Sequence, residues 1–243
     1  MLARDRGEIE KARVFFKKAL EIRPDYAEAL NAWASMEGDL GSLEEARKLF
    51  RESLEKNQRN SMVYLNWAVL EDRHGNPKEA RRLYEEGTKV DPDNALLWRS
   101  WATMERRCGF FPRARELYKN AAKLAPGDSI SWQAWGQLEI KCQKYEEAER
   151  ILIRAADCAP DNFTKAWIYS DLAFAISNLR RPAEEIERYY EMSLRLNPKS
   201  AQTNIAFSDF LRGLKRYDEA DEYRRRGIAL GWKVKPYRYR RPM

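Results

Sequence analysis

The chain has 243 residues, 44% of them hydrophobic and 12% aromatic with eight Trp, and a net charge of +7. Apolar area is ample for one repeat domain, yet no apolar run approaches the ~20 residues of a membrane span, and Met1–Arg6 has no apolar signal region. A single His (His74) and the lack of a Gly-rich phosphate loop leave no catalytic constellation, and three Cys without a pairing pattern fit an intracellular, reducing compartment.

The sequence matches itself at a fixed step of 34 residues. Trp33, Trp67, Trp101 and Trp135 keep that step, as do Glu37, Glu71, Glu105 and Glu139, and Gly7, Gly41, Gly75 and Gly109. A fixed period of this length predicts stacked helix–turn–helix units, because no single unit buries its apolar face alone.

In chain order, Gly7 to Pro24 match only the second helix of a unit. A repeat array normally ends on a polar cap, so the chain is expected to be a fragment, with a targeting peptide or further repeats ahead of it. Complete units follow at 27–60, 61–94, 95–128 and 129–162, which predicts eight helices in antiparallel pairs. In the third of these, Leu97, Trp98, Trp101, Ala102 and Glu105 form one stripe of a 3.6-residue helix. Gly109 ends that helix where positive φ is needed, and Pro112 opens the next without needing a backbone donor. Ala114, Leu117, Tyr118, Ala121, Ala122 and Leu124 make the second stripe, and Pro126 stops it. The Trp residues are expected in the core beside the small Ala residues of the same period.

Pro160 to Pro198 spans 38 residues, four more than the period, or close to one helical turn. An extra turn is therefore expected near 163–180, tilting the unit that follows. Residues 201–230 read as a divergent last unit with Phe207, Tyr217, Ala220 and Gly227 in place. The repeat domain thus spans 1–230 and a basic aromatic tail spans 231–243.

The Trp-Ala..Glu signature of the first helices (Trp33-Ala34..Glu37, Trp67-Ala68..Glu71, Trp101-Ala102..Glu105, with Trp135-Gly136..Glu139) is joined by Ala-Arg and an aromatic in the second helices, as in Ala46-Arg47 with Phe50 and Ala80-Arg81 with Tyr84. The pattern resembles the tetratricopeptide repeat (TPR), in its half-a-TPR (HAT) variant. The likeness runs through about residues 7 to 162 and loosely beyond. It implies an all-α, right-handed α-solenoid of 34-residue TPR/HAT-like helical hairpins. It also implies a role in RNA metabolism, since HAT repeats occur mostly in RNA-processing scaffolds such as crooked-neck-like splicing proteins, cleavage-stimulation subunits and chloroplast transcript-stabilising proteins.

The period-locked Glu and Arg residues suggest ion pairs that fix helix crossing, within a repeat or between neighbours. Glu139 breaks the scheme by facing Glu149. His74, Cys108 and Cys142 share one position in successive units, but stacked helices lie about 8–10 Å apart and zinc ligands about 2.3 Å from the metal, so no metal site is assigned. No cofactor or small-molecule substrate is expected.

Function then rests on first-helix positions that the fold does not dictate. Asn31 and Ser35, then Leu65, Val69 and Arg73, then Arg99, Thr103, Arg106 and Arg107, then Gln133, Gln137 and Lys141 line the inner surface. The stretch from Arg73 to Lys141 is basic and amide-rich and suits phosphates and bases. The Lys and Asn residues of a carboxylate clamp for acidic C-termini are absent. In the tail, Lys233, Lys235, Arg238, Arg240 and Arg241 carry five of the seven net positive charges and alternate with tyrosines, as nucleic-acid contacts would. The expected function is a non-enzymatic adaptor that binds RNA or assembles protein components of an RNA-processing complex. The alternative is a general TPR scaffold that takes a partner's peptide or helix, centred on Leu65 and Val69.

Overall fold

The computed structural model describes residues 3–179 and 181–233, with side chains from Gly7 onward. The described residues form thirteen α-helices and no strand. They divide into two compact units, one ending at Leu124 and the other starting at Ala125.

In the first unit α1 (Ala3–Ile22) precedes three hairpins: α2 (Ala27–Asp39) with α3 (Leu43–Lys56), α4 (Ser61–Arg73) with α5 (Pro77–Val90), and α6 (Ala95–Arg107) with α7 (Phe111–Leu124). The second unit holds α8 (Ser129–Lys141) with α9 (Tyr145–Asp157), α10 (Asn162–Ser177) with α11 (Ala183–Leu196), and α12 (Ala201–Gly213) with α13 (Tyr217–Ala229). The first helices of successive hairpins are neighbours, α2 to α4 to α6 in one unit and α8 to α10 to α12 in the other.

Local chemistry sets the boundaries. The side chains of Asn60, Asn94 and Asp128 accept backbone N–H groups of Met62, Leu97 and Ile130, capping α4, α6 and α8 one period apart. After the first helices the chain turns through positive φ at Gly41, Gly75 and Gly109 (85°, 76° and 85°). Gln143 takes the next place in that series at φ 59°.

In the first unit each period-locked Trp stacks on the aromatic ring of the preceding second helix: Phe16 on Trp33, Phe50 on Trp67 and Tyr84 on Trp101, with centroids 5.9–6.1 Å apart. Trp67 and Trp101 are buried, but Trp33 and Trp135 are half-buried. Trp33 leans on α1, whose Val14, Phe15 and Ile22 are themselves exposed. Ala34, Ala68 and Ala102 are wholly buried at the crossing points. At the equivalent Gly136 a Cβ would lie 2.6 Å from the Leu152 side chain, which fills the space.

The Glu ladder is buried and fully bonded. Each first-helix Trp donates its Nε1–H to the Glu four residues on, at 2.9 Å for Trp33, Trp67 and Trp135 and 3.0 Å for Trp101. An Arg 24 residues earlier, on the preceding second helix, then grips both carboxylate oxygens. Arg13 holds Glu37, Arg47 holds Glu71 and Arg81 holds Glu105, at 2.6–2.9 Å. The arginines of the Ala-Arg motif therefore reach the next repeat, while Glu105 also has Arg113 of its own hairpin at 3.6 Å. Glu149 accordingly pairs with Arg181 (2.9 Å), which corrects the expectation that it faces Glu139.

The fifth hairpin is longer. Helix α10 has 16 residues against 13 in α8 and α12. Ser193 Oγ donates to the Ala166 carbonyl at 2.7 Å, as Ser53 Oγ does to the carbonyl of Ala27, the first residue of α2. Ala166 thus stands where Ala27 stands, three residues beyond four whole periods, so the addition lies at the N-terminal end of the helix.

Candidate functional site

The exposed positions of the first helices are the part of each unit that packing leaves open. In the first unit Arg73, Arg99, Thr103 and Arg107 border one shallow depression of about 320 Å³, floored by Val69, Tyr84 and Met104. Leu65 is buried in the core. A smaller depression of about 210 Å³ lies beside Ser35, Asn66, Val69 and Arg73.

The bases around these depressions already have partners in the chain. Arg73 Nη1 donates to Asp39 Oδ1 at 3.0 Å. Arg107 pairs with Asp72, reaching it across one repeat. Burial pushes the Asp72 carboxyl above the ordinary aspartate range, against the opposing pull of Arg107. Thr103 Oγ1 donates to the Arg99 carbonyl at 2.9 Å and lies 3.0 Å from the Tyr118 hydroxyl. Arg106 points differently: its Nε is buried and has no hydrogen-bond partner among the described residues. His74, Cys108 and Cys142 cap the C-termini of α4, α6 and α8, and among the described residues no three His, Cys, Asp or Glu stand together as metal ligands.

In the second unit Gln133 and Gln137 are turned to an acid. Their Nε2 groups donate to one oxygen, Asp171 Oδ2, at 2.8 and 2.9 Å. Counting in 34s from Gln137 reaches Asp171, but the added turn of α10 gives it the place of Asn66, whose Nδ2 likewise meets Asn31 of the preceding first helix at 3.2 Å. Asp171 escaped sequence reasoning for that reason. Its signal was the lone acid of α10, set among the apolar residues from Ala166 to Ile176. Phe174, three residues on, is 46% exposed. Lys141 lies exposed at the end of α8. Lys233 is exposed at the edge of the described residues, and Lys235, Arg238, Arg240 and Arg241 lie outside them.

Among the described residues no helix is long and apolar enough to cross a membrane. A search of curated proteins gives no match. Among solved structures the chain is similar to PilF of Pseudomonas aeruginosa, at 16% identity and TM-score 0.67 over 81% of this chain and 88% of that one. It is also similar to the Cut9–Hcn1 hetero-tetramer of the APC/C (15% identity, TM-score 0.69), covering 93% of this chain and 44% of that one. A third is YrrB, a TPR protein with an unusual peptide-binding site (15% identity, TM-score 0.59), over 75% and 92% of the two chains. At these identities the likenesses establish the TPR-type helical-repeat fold. The sequence profile described as the pre-mRNA-splicing factor Syf1/CRNKL1 C-terminal HAT repeat matches residues 1–158. With its Trp–Glu–Arg ladder and paired helices, and with that match over more than half its length, the chain belongs to the Syf1/CRNKL1 C-terminal HAT-repeat family.

Proposed function

We propose that this protein is a non-enzymatic adaptor that assembles RNA-processing complexes by binding protein segments on its first-helix faces. The observation that carries this reading is the internal pairing of Arg73 with Asp39 and of Arg107 with Asp72. A phosphate backbone would have to displace those carboxylates before using the arginines, whereas a partner peptide or helix meets a mixed-charge, partly apolar surface suited to it. Family membership supports the link to RNA processing, and the TPR-type fold supports a scaffold role. Tagged protein recovered from a nuclease-treated extract should retain protein components of an RNA-processing complex. Loss of every partner on nuclease treatment would make RNA the ligand instead.

A further inference from the structure

We infer that the first-helix face of the second unit captures an arginine side chain of its protein partner, with the guanidinium seated on the Asp171 carboxylate beside Phe174. The inference rests on the adaptor reading above and specifies the chemistry of the segment bound.

Acids elsewhere on the first helices have an in-chain arginine: Asp39 has Arg73, Asp72 has Arg107, and Asp209 has Arg224 at 3.7 Å. Glu37, Glu71 and Glu105 have theirs from the preceding repeat. Among the described residues Asp171 has none; its partners there are the two neutral amides of Gln133 and Gln137. Both donate to Oδ2, so the carboxylate is held in one orientation while Oδ1 accepts no hydrogen bond among the described residues. Asp171 itself is half-buried on α10. Burial pushes the carboxyl above the ordinary aspartate range, as expected for a charge that lacks its counter-charge.

Nearby groups favour arginine over lysine. Trp167 and Phe174 lie four residues before and three after Asp171, on the same stripe of α10. Phe174 offers nearly half its surface, and Trp167 is braced edge-on by Phe163 at 6.0 Å. A planar guanidinium stacks on such a ring while donating sideways to the carboxylate, and a compact ammonium does less of both. A divalent metal would need further oxygen ligands, and no such group stands with Asp171 among the described residues.

The test is selection of a random decapeptide library on the full-length chain, followed by titration of the best synthetic peptide in Arg, Lys and citrulline forms. Enriched peptides should share an arginine. Citrulline, neutral and nearly isosteric, should bind at least about tenfold more weakly, as for loss of one partner of a desolvated charge pair. Asp171→Asn should remove the preference for Arg over citrulline. Phe174→Ala should weaken the Arg peptide several-fold, with an unchanged urea midpoint confirming that the fold is kept. Enrichment of peptides without arginine, or equal binding of Arg and citrulline forms by the native chain, would overturn the inference and leave the adaptor reading standing. Failure to enrich any peptide would count against both.

Discussion

Glu71 shows how this chain keeps a charge at 1% exposure. Burial pushes its carboxyl upward, but hydrogen bonds from Arg47, Trp67 and Asn76 outweigh that and hold it below the usual range. Removing one partner of such a pair leaves an uncompensated charge. Arg47→Ala should therefore cost about 2–3 kcal/mol in urea denaturation, the low end for buried pairs because Arg47 is partly exposed. The double replacement Arg47→Met with Glu71→Leu should recover most of that loss. Gln143 sits in the left-handed region where its counterparts are glycines. Gln143→Gly should raise stability by up to about 1 kcal/mol, since the Cβ penalty there is about 1–2 kcal/mol and glycine's own entropy offsets part of it.

Among the elements, the stacked pair of a first-helix Trp and the aromatic before it joins one hairpin to the next. Trp101 is buried and stacks on Tyr84, so Trp101→Ala should cost about 3–5 kcal/mol in a reversible melt. Trp33 occupies the same place but is only half-buried against α1, and Trp33→Ala should cost less than half as much. The ratio of the two losses measures how far the ladder's strength depends on cover from both sides. Helix α10 departs from the period by its added N-terminal turn. That turn shifts the register by which Asp171 meets α8.

For the molecule as a whole, two groups of carboxylates respond to pH with opposite sign. The Arg13 hydrogen bond holds Glu37 below its usual range, and Glu71 is also lowered. Their stabilisation is present above the unfolded carboxylate value, about 4.3, and is lost as pH falls through the lower folded value. Glu71→Gln should reduce stability at pH 7 and flatten its decline under acid, read from urea midpoints between about pH 7 and pH 3. Asp171 is raised, so its ionisation costs stability above the folded value and costs nothing below the unfolded one, about 3.9. Asp171→Asn should thus stabilise the free chain at neutral pH, and its advantage should vanish in acid. A residue that weakens the free fold while serving a partner is what the arginine site requires.

Periodicity determined the hairpin fold and the repeat units over residues 27–162, because step, caps and small residues are local and repeat in register, and the Trp-Ala..Glu and Ala-Arg motifs carried the likeness to HAT repeats. The Glu and Arg residues were also legible as pairs, but tertiary structure decided that Arg47 reaches forward to Glu71 and not to Glu37 of its own repeat. Linear spacing does not say which neighbour a flexible guanidinium reaches. The inner-face bases were legible as charges, but their state was not. Arg73 and Arg107 are engaged by Asp39 and Asp72 one repeat away. Gln133 and Gln137 converge on Asp171 only because an added turn rotates α10, and that juxtaposition of side chains 38 and 34 residues apart exists in the packed structure alone.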